Sequence, residues 1–446
     1  MDDPIVITGM GALAAGTATV DALYAAALSG ESPADWLAMP PLEPIAGIRA
    51  PDPDFPPGLA RHARRLDRAA RLGLAAAADA IGSAGLAGSM DPHRIGVMVG
   101  TSRGPIARTL EMVRDLDQGG IAPTAVAEST LGSMSGVICQ AFSLGGPSAT
   151  IAATCASAAN AIAMGAMHLV TGDADAMVVG GSEAPIIPLL VAQLRAAGVI
   201  GSHEVARLTC RPFDSRRNGL VIGEGAAFLV LERASGAARR GAAALARLTG
   251  WATGTDGGGR TGITPDGEGT VRVIGRALSM AGLEPHEIGY VNAHGTGTRL
   301  NDALEARVFN SIFGVGNGPP VSSTKPITGH CLGATPAIEA VICVQAVRAQ
   351  CAPPTSGHQQ LDPDCAIDVV STEARRLAAK AAILSTSLGF WGYQGRAGVR
   401  ACRSTDAGLD RANSAPARDE CRGTRARTGR WLDRPGADGP GGSRTR

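Results

Sequence analysis

Short runs of branched apolar residues alternate along this chain with longer runs rich in alanine, and that alternation limits the folds open to it. "PIVITG", "RIGVMVG", "DAMVVGGSE" and "AAFLVLE" read as strands, whereas "TVDALYAAALSG", with Thr or Asp at its start, reads as a helix. "SATIAAT", "CASAANAIAMGAMHLVTG" and "DAMVVGGSE" make one strand–helix–strand unit. "IGYVNAHG", "ALEARVFNSIF", "PPVSST" and "TPAIEAVICVQAVRA" continue the pattern. Strands separated by longer helices predict an α/β protein whose sheets are covered by helices. The 60 glycines and the small helix faces predict close packing of helix on sheet or helix on helix.

With 446 residues, 45% of them hydrophobic, the chain has material for a large core and for more than one domain-sized unit. Its last stretch breaks the pattern. From Cys402 onwards arginine, glycine, proline and serine dominate, and the apolar side chains are too few to offset the entropy of ordering. Residues 402–446 are therefore expected to form a disordered tail. A formal net charge of +1 gives no support to a nucleic-acid binder. No apolar run reads as long enough to span a bilayer, and the start "MDDPIVITGMG" lacks a secretory pattern. Nine cysteines stand singly with no C-x-x-C pair, which fits a reducing cytoplasm.

Three segments carry polar groups at transitions from strand to loop, as an active site on a rigid scaffold does. In "TIAATCASAAN", Cys155 lies between a strand and a helix, facing the first backbone N–H groups. The helix dipole there favours thiolate, and the same donors can hold an oxyanion. A buried cysteine without chemistry is the alternative. In "VNAHGTGTRLNDALEA", His294 ends a strand before a loop of glycines, which permit close approach to a ligand, and threonines, which offer hydroxyls. In "VSSTKPITGHCLGATPAIEA", Lys325 and His330 flank a bend set by Pro326 and Gly329, ahead of a helix carrying Glu339. Lys325 is one of two lysines among 41 basic residues, so its ammonium is expected to serve where a guanidinium would not.

"TCAS", "RPFDSRRNGLVIGEGAAFLVLE", "YVNAHGTGT", "SSTKPITGH" and "STSLGF" follow one another in an order and spacing that resemble an elongating β-ketoacyl-acyl carrier protein synthase of the thiolase superfamily. The resemblance runs from "IVITGMG" to the region of residue 400. It implies a thiolase-like fold with two similar α/β halves, residues 1–240 and 241–401, in a five-layered α-β-α-β-α arrangement. No internal duplication shows in the sequence itself. The implied reaction is decarboxylative Claisen condensation of an acyl-carrier-protein thioester with malonyl-acyl carrier protein. Its products are 3-oxoacyl-acyl carrier protein, CO2 and free carrier protein, in fatty acid or specialised type II polyketide or polyene biosynthesis. The family uses no cofactor and no metal.

The same resemblance implies roles residue by residue. Cys155 would take the acyl group, and the backbone N–H groups of Cys155 and Phe390 would form the oxyanion hole. Thr296 and Thr298 would lie near the pantetheine arm, and His294 and His330 would stabilise the enolate. Lys325 with Glu339 would hold the network around His330. Asp302, Glu305 and Glu339 match supporting acidic positions, with plain surface carboxylates as the alternative. Arg61, Arg64 and Arg65, in "GLARHARRLDRAARLG", match a basic patch for the acidic carrier protein, their spacing placing the guanidiniums on one helix side. Implied partners are the acyl and malonyl forms of the carrier protein. A second chain is also implied, giving a homodimer or a heterodimer with a ketosynthase-like subunit.

The pattern breaks at "LGFWGYQ", where Trp391, Tyr393 and Gln394 replace the family's residues, and at Leu194 and Gly198, where an aromatic gate and an arginine often stand. Other readings remain. "IVITGMGALAAG" imitates a dinucleotide fingerprint without the acidic residue that should end a second strand. Cys155, His294, His330 and Cys331 could be read as a zinc set, though adjacent His330 and Cys331 are poorly placed for one metal. A non-catalytic partner subunit that binds carrier protein or a second synthase is the third.

Overall fold

The computed structural model describes residues 3–257, 264, 266–378 and 382–400; the expected tail, 402–446, lies outside the described residues. Ten strands form one mixed sheet. The first five are β1 (Ile5–Ala14), β2 (Ile95–Gly100), β3 (Ser148–Ile151), β4 (Ala176–Glu183) and β5 (Gly225–Arg233). The last five are β6 (Ala246–Thr255), β7 (Ile288–Asn292), β8 (Val321–Ser322), β9 (Ala382–Leu388) and β10 (Tyr393–Arg400).

The strands lie in the order β3-β2-β4-β5-β1-β6-β10-β9-β7-β8. Each set of five repeats the other. Its first strand pairs antiparallel with its fifth, the fifth antiparallel with the fourth, and the fourth, second and third run parallel. The sets meet where Ile5–Ile7 of β1 pairs with Ala246–Leu248 of β6. The duplication that the sequence conceals is explicit in strand order.

Helices fill three layers around these half-sheets. Thr335–Ala349 packs on β5 of one half and β9 of the other, and Ser157–Thr171 touches β2 and β4 as well as β6 and β10. Both lie in the middle. Arg68–Ser83 covers β1, β4 and β5 from outside, and Glu268–Ala281 covers β6 and β10. The result is the α-β-α-β-α arrangement expected from the resemblance. Contrary to the sequence reading, the segment Leu332–Ala349 is long and apolar enough to cross a bilayer, but 89% of it is buried in the protein. A helix sandwiched between two sheets has no wet face, so it is apolar all round. Its Ile338, Val341, Ile342 and Val344 join Ile5, Val179, Leu231 and Ile383 in one cluster that ties the halves together. Each such side chain contributes roughly 1.5–3 kcal/mol by leaving water.

β1 also disposes of the dinucleotide reading. It runs unbroken through the glycines of "TGMGALA", and a Cβ at Gly9 or Gly11 would overlap the carbonyl oxygen of Ala80 or Ala76. Those glycines let Arg68–Ser83 lie directly on the strand, so no phosphate-binding turn follows them. The carboxyl ends of β2, β4, β7, β8 and β9 instead carry Thr101, Glu183, Ala293–His294, Ser323–Lys325 and Gly389–Phe390 towards the candidate site. Loops at the carboxyl ends of parallel strands are where α/β sheets place their ligands.

Candidate active site

Cys155 sits in a turn that the sequence reading compressed. β3 ends at Ile151 and the helix starts at Ser157, so four-bond elbow geometry separates strand from helix rather than a direct junction. Ala156 N–H donates to Ala153 O (3.0 Å) and Ser157 N–H to Thr154 O (3.2 Å). The Ser157 hydroxyl donates to Thr154 O (2.6 Å) and accepts from Ala153 N–H (2.9 Å). Thr154 takes φ +50°, a left-handed conformation that is costly for a β-branched residue. The strain aims the next side chain, Cys155, into the protein interior, where it is 8% exposed. Gly389 abuts this elbow: a Cβ there would overlap Thr154 Oγ1 and lie 3.1 Å from Cys155 N. The Thr154 hydroxyl donates to Phe390 O (3.3 Å), so the segment bearing Phe390 is fastened to the Cys155 turn.

His330 faces the sulfur. Pro326 opens the short helix Lys325–Thr328, Gly329 turns out of it with φ +69°, and His330 N–H donates to Val221 O (2.7 Å). Its Nε2 lies 3.2 Å from Cys155 Sγ and its Nδ1 3.1 Å from Thr335 Oγ1. Burial pushes the Cys155 thiol up to about 12, although the positive charges of Lys325 and Arg103 pull it down. Burial, followed by the Lys325 charge, holds His330 well below the usual imidazole value. The resting pair is therefore a thiol beside a neutral imidazole. Burial thus opposes the thiolate that the helix dipole favours.

His294 packs against His330. The rings meet edge to face, with centroids 5.3 Å apart and an interplanar angle of 83°. Its backbone is held by Glu305, which accepts from His294 N–H (2.9 Å) and Gly295 N–H (2.6 Å). Glu305 also accepts from the Thr386 hydroxyl (2.9 Å) and Asn301 Nδ2 (3.0 Å). Asp302 accepts from Phe213 N–H (2.9 Å) and Gly297 N–H (3.2 Å) and pairs with Arg217 at 3.5 Å. Burial raises Asp302 to about 6. Between these anchors the loop passes through Gly295 and Gly297, both with positive φ, and sets Thr296 Oγ1 2.9 Å from Thr298 Oγ1.

Lys325 Nζ donates to Glu339 Oε1 at 2.6 Å, and both side chains are completely buried. Burial raises Glu339 to about 7 against the opposing pull of Lys325. Asp302, Glu305 and Glu339 are thus interior braces, and the surface-carboxylate alternative falls for all three.

One expectation needs correction. Arg61 lies in the helix Pro57–Ala63, but Arg64 is extended and Arg65 takes φ +61°, so the three guanidiniums do not share one helix side. Asp67 accepts from Ala69 N–H (2.7 Å) and caps a new helix at Arg68, which breaks the chain between them. All three arginines remain exposed. Leu194 is buried against Met39, Ile45 and Val191, while Gly198 is exposed with φ +68°. Gln394 is buried and Tyr393 is 36% exposed.

Sequence reasoning missed Glu183. This buried carboxylate at the end of β4 accepts from the Thr101 hydroxyl (3.0 Å), Ser102 N–H (2.6 Å) and hydroxyl (2.8 Å), Arg103 N–H (3.1 Å) and Gly333 N–H (3.1 Å). It ties the turn after β2 to the turn after His330. The available signal was an acid closing the apolar strand "DAMVVGGSE". Among the described residues no group of three His, Cys, Asp or Glu side chains is placed to hold a metal ion.

The family model for "Beta-ketoacyl synthase, N-terminal domain" matches residues 2–237, and that for the C-terminal domain matches residues 245–359. The chain belongs to the beta-ketoacyl synthase family. A 3-oxoacyl-[acyl-carrier-protein] synthase 2 of Staphylococcus aureus is 34% identical over 401 residues, covering 87% of this chain and 96% of that one. The solved ishigamide ketosynthase/chain length factor superposes with TM-score 0.82 at 27% identity, covering 90% of this chain and 100% of that chain. A type II PKS ketosynthase, solved with its acyl-carrier protein and bound to the hexaketide, gives TM-score 0.80 at 26% identity over the same shares.

Proposed function

We propose that this ketosynthase condenses an acyl group held on Cys155 with malonyl-acyl carrier protein, releasing CO2 and 3-oxoacyl-acyl carrier protein. The observation that carries this reading is the Cys155 Sγ to His330 Nε2 approach of 3.2 Å, with His294 and the Lys325–Glu339 pair packed beside it. As Sγ attacks the incoming thioester, its proton passes to His330 Nε2 and then to the departing pantetheine sulfur. The tetrahedral oxyanion is received by the N–H groups of Cys155 and Phe390, whose segments are joined through Thr154. The malonyl thioester then loses CO2, and the negative charge that develops on its carbonyl oxygen is met by ring N–H groups of His294 and His330. Thr335 Oγ1 can donate to or accept from His330 Nδ1, so it serves either tautomer of the ring. The enolate carbon attacks the acyl carbonyl, the Cys155 thiolate leaves, and a proton taken up from solvent restores the thiol and resets the site. Thr296 and Thr298 line the approach of the pantetheine arm.

The carrier protein docks over the exposed Arg61, Arg64 and Arg65, whose charge suits an acidic partner without a shared helix face. A second chain, either identical or ketosynthase-like, covers the outer strand β3 and the neighbouring helix face that exposes Met164, Met167 and Val170. The product enters fatty acid or type II polyketide synthesis in the cytoplasm. A non-catalytic partner subunit is the second reading, favoured by likeness to a solved ketosynthase/chain length factor.

Intact-protein mass spectrometry separates the two. Loading from acyl-carrier proteins should add an acyl mass to wild type and none to Cys155→Ala, and malonyl-carrier protein should discharge it. His330→Ala should load more slowly, because the proton acceptor beside Sγ is lost, but still measurably, while condensation stops. A wild-type protein that accepts no acyl group from any donor would establish the non-catalytic reading.

A further inference from the structure

The carboxyl end of β4 stands between the two segments that meet at Cys155 Sγ, and its last residue is a buried carboxylate that the reaction as described does not use. At Gly181 a Cβ would lie 2.8 Å from Ala158 Cβ, in the helix that follows Cys155, and 3.1 Å from Ala334 Cα, in the segment that follows His330. Glu183, at the end of the same strand, makes no ion pair with a described residue. Its Oε1 accepts from the Thr101 hydroxyl and Arg103 N–H, and its Oε2 from Ser102 N–H, the Ser102 hydroxyl and Gly333 N–H. A carboxylate without a counterion is costly to bury, and these donors offset that cost.

The bond to Gly333 begins a line of contacts that ends on the sulfur. Leu332, just before Gly333, takes φ +42°, a strained conformation for a residue with a side chain. Such a backbone persists only where its surroundings fix it. Gly333 is the fixed point: a Cβ there would overlap Ser102 N and lie 2.8 Å from Glu183 Oε2, and its N–H donates to that oxygen at 3.1 Å. Thr335 follows closely and sets its Oγ1 3.1 Å from His330 Nδ1, while His330 Nε2 lies 3.2 Å from Cys155 Sγ. The remaining donors to Glu183 all lie in the turn after β2. That strand is flush against the helix after Cys155, because a Cβ at Gly100 would overlap Ala158 N. Glu183 therefore joins the two pieces of backbone whose separation is the Sγ–Nε2 distance. A displacement of about 1 Å at such a contact can lower a rate by about a hundredfold.

We propose that Glu183 is a positioning residue for acyl transfer, holding the segment from Gly333 to Thr335 so that His330 Nε2 stays within reach of Cys155 Sγ. This rests on the ketosynthase reading above and names what supports the proton acceptor of that site. The test is single-turnover loading of Cys155 from an acyl-carrier protein, followed by intact-protein mass spectrometry over a range of carrier concentrations. Glu183→Gln keeps the shape of the side chain but turns an amide NH2 towards the N–H donors. Glu183→Asp keeps the charge but shortens the reach, and it carries the test if the first variant does not fold. Each is made in wild type and in His330→Ala. In the wild-type background the maximal loading rate should fall by about ten- to a hundredfold, at an unchanged half-saturating carrier concentration. In His330→Ala, which still loads slowly, the same substitution should change the rate by less than about twofold, because the group that Glu183 positions is gone. Equal losses in both backgrounds would show a general packing role and overturn the proposal. An unchanged rate in the wild-type background, or a loss confined to carrier affinity, overturns it too. Each of these outcomes leaves the ketosynthase reading standing. No loading of wild type by any acyl-carrier protein overturns both.

Discussion

Replacing Lys325 by methionine tests whether its charge, and not its bulk, supports the site. The ammonium lies 2.6 Å from Glu339 Oε1 with both groups fully buried, and Glu339 Oε2 has no hydrogen-bond partner among the described residues. Without Lys325 the Glu339 carboxylate would be a buried charge with no counterion, and breaking such a pair costs roughly 3–5 kcal/mol. Lys325→Met should lose that much in urea unfolding, at unchanged m. Its deficit should also depend on pH in a set direction. Glu339 already titrates near about 7 with Lys325 present, and loss of the ammonium moves it higher still. The unfolded value is about 4.3, so the folded variant holds a proton that the unfolded chain releases. Stability of Lys325→Met should therefore fall as pH rises from about 4.3 through the folded value and recover in acid.

The double variant Lys325→Met/Glu339→Leu removes both charges and should regain most of the lost stability, because an apolar pair of similar volume replaces a buried ion pair at little cost. Loading of Cys155 should stay impaired in both variants. Lys325 is the leading influence that lowers the Cys155 pKa, so its removal drives that thiol still further from ionising. A double variant as unstable as Lys325→Met would show that lost packing, not an unpaired carboxylate, sets the penalty. A double variant that loads at the wild-type rate would show that the charge has no part in activating the thiol.

Two further outcomes follow from the same geometry. Gly389→Ala should leave the fold intact but slow acyl transfer by about tenfold or more, since the added methyl would overlap Thr154 Oγ1 and push the Phe390 segment off the oxyanion position; unchanged kcat in single-turnover loading would remove Phe390 N–H from the mechanism. Asp302→Asn should flatten one part of the stability profile, because the native carboxyl titrates near about 6, above its unfolded value of about 3.9. Native stability should decline as pH climbs through that window, and identical slopes for wild type and variant in pH-dependent urea unfolding would contradict it.

What could be read in the sequence was whatever local pattern or a compact motif encodes. The strand–helix alternation follows from side-chain periodicity, and Cys155, His294, Lys325 and His330 each lie in a short segment whose glycines and proline announce a turn. The repeated strand order was hidden because it depends on pairing between distant segments, and β1 with β6 or β8 with β7 leaves no periodic trace. The break at Arg64–Arg65 was open to reading, since Asp67 is a capping residue ahead of the run "RAARLGLAAAADAIG". Glu183 was harder. An acid at the end of a strand looks like a loop residue until the donors from Thr101, Ser102, Arg103 and Gly333 are seen to converge on it.

The protonation state of Cys155 shows why the rest required three dimensions. Motif logic places a sulfur near helix N–H groups and concludes thiolate, but it has no measure of depth. In the fold the middle-layer helices and both half-sheets exclude water from Sγ, so an isolated thiolate there is costly and the thiol persists with its pKa near about 12. A buried, neutral thiol facing a buried, neutral imidazole does not react until a thioester carbonyl arrives to accept the developing charge. Glu183 raises the thiol further while bracing the two turns beside it, and the Lys325 charge opposes that effect. If Cys155 acts as proposed, burial ties its nucleophilicity to the arrival of substrate, and wild type should react with iodoacetamide far more slowly than a free thiolate would.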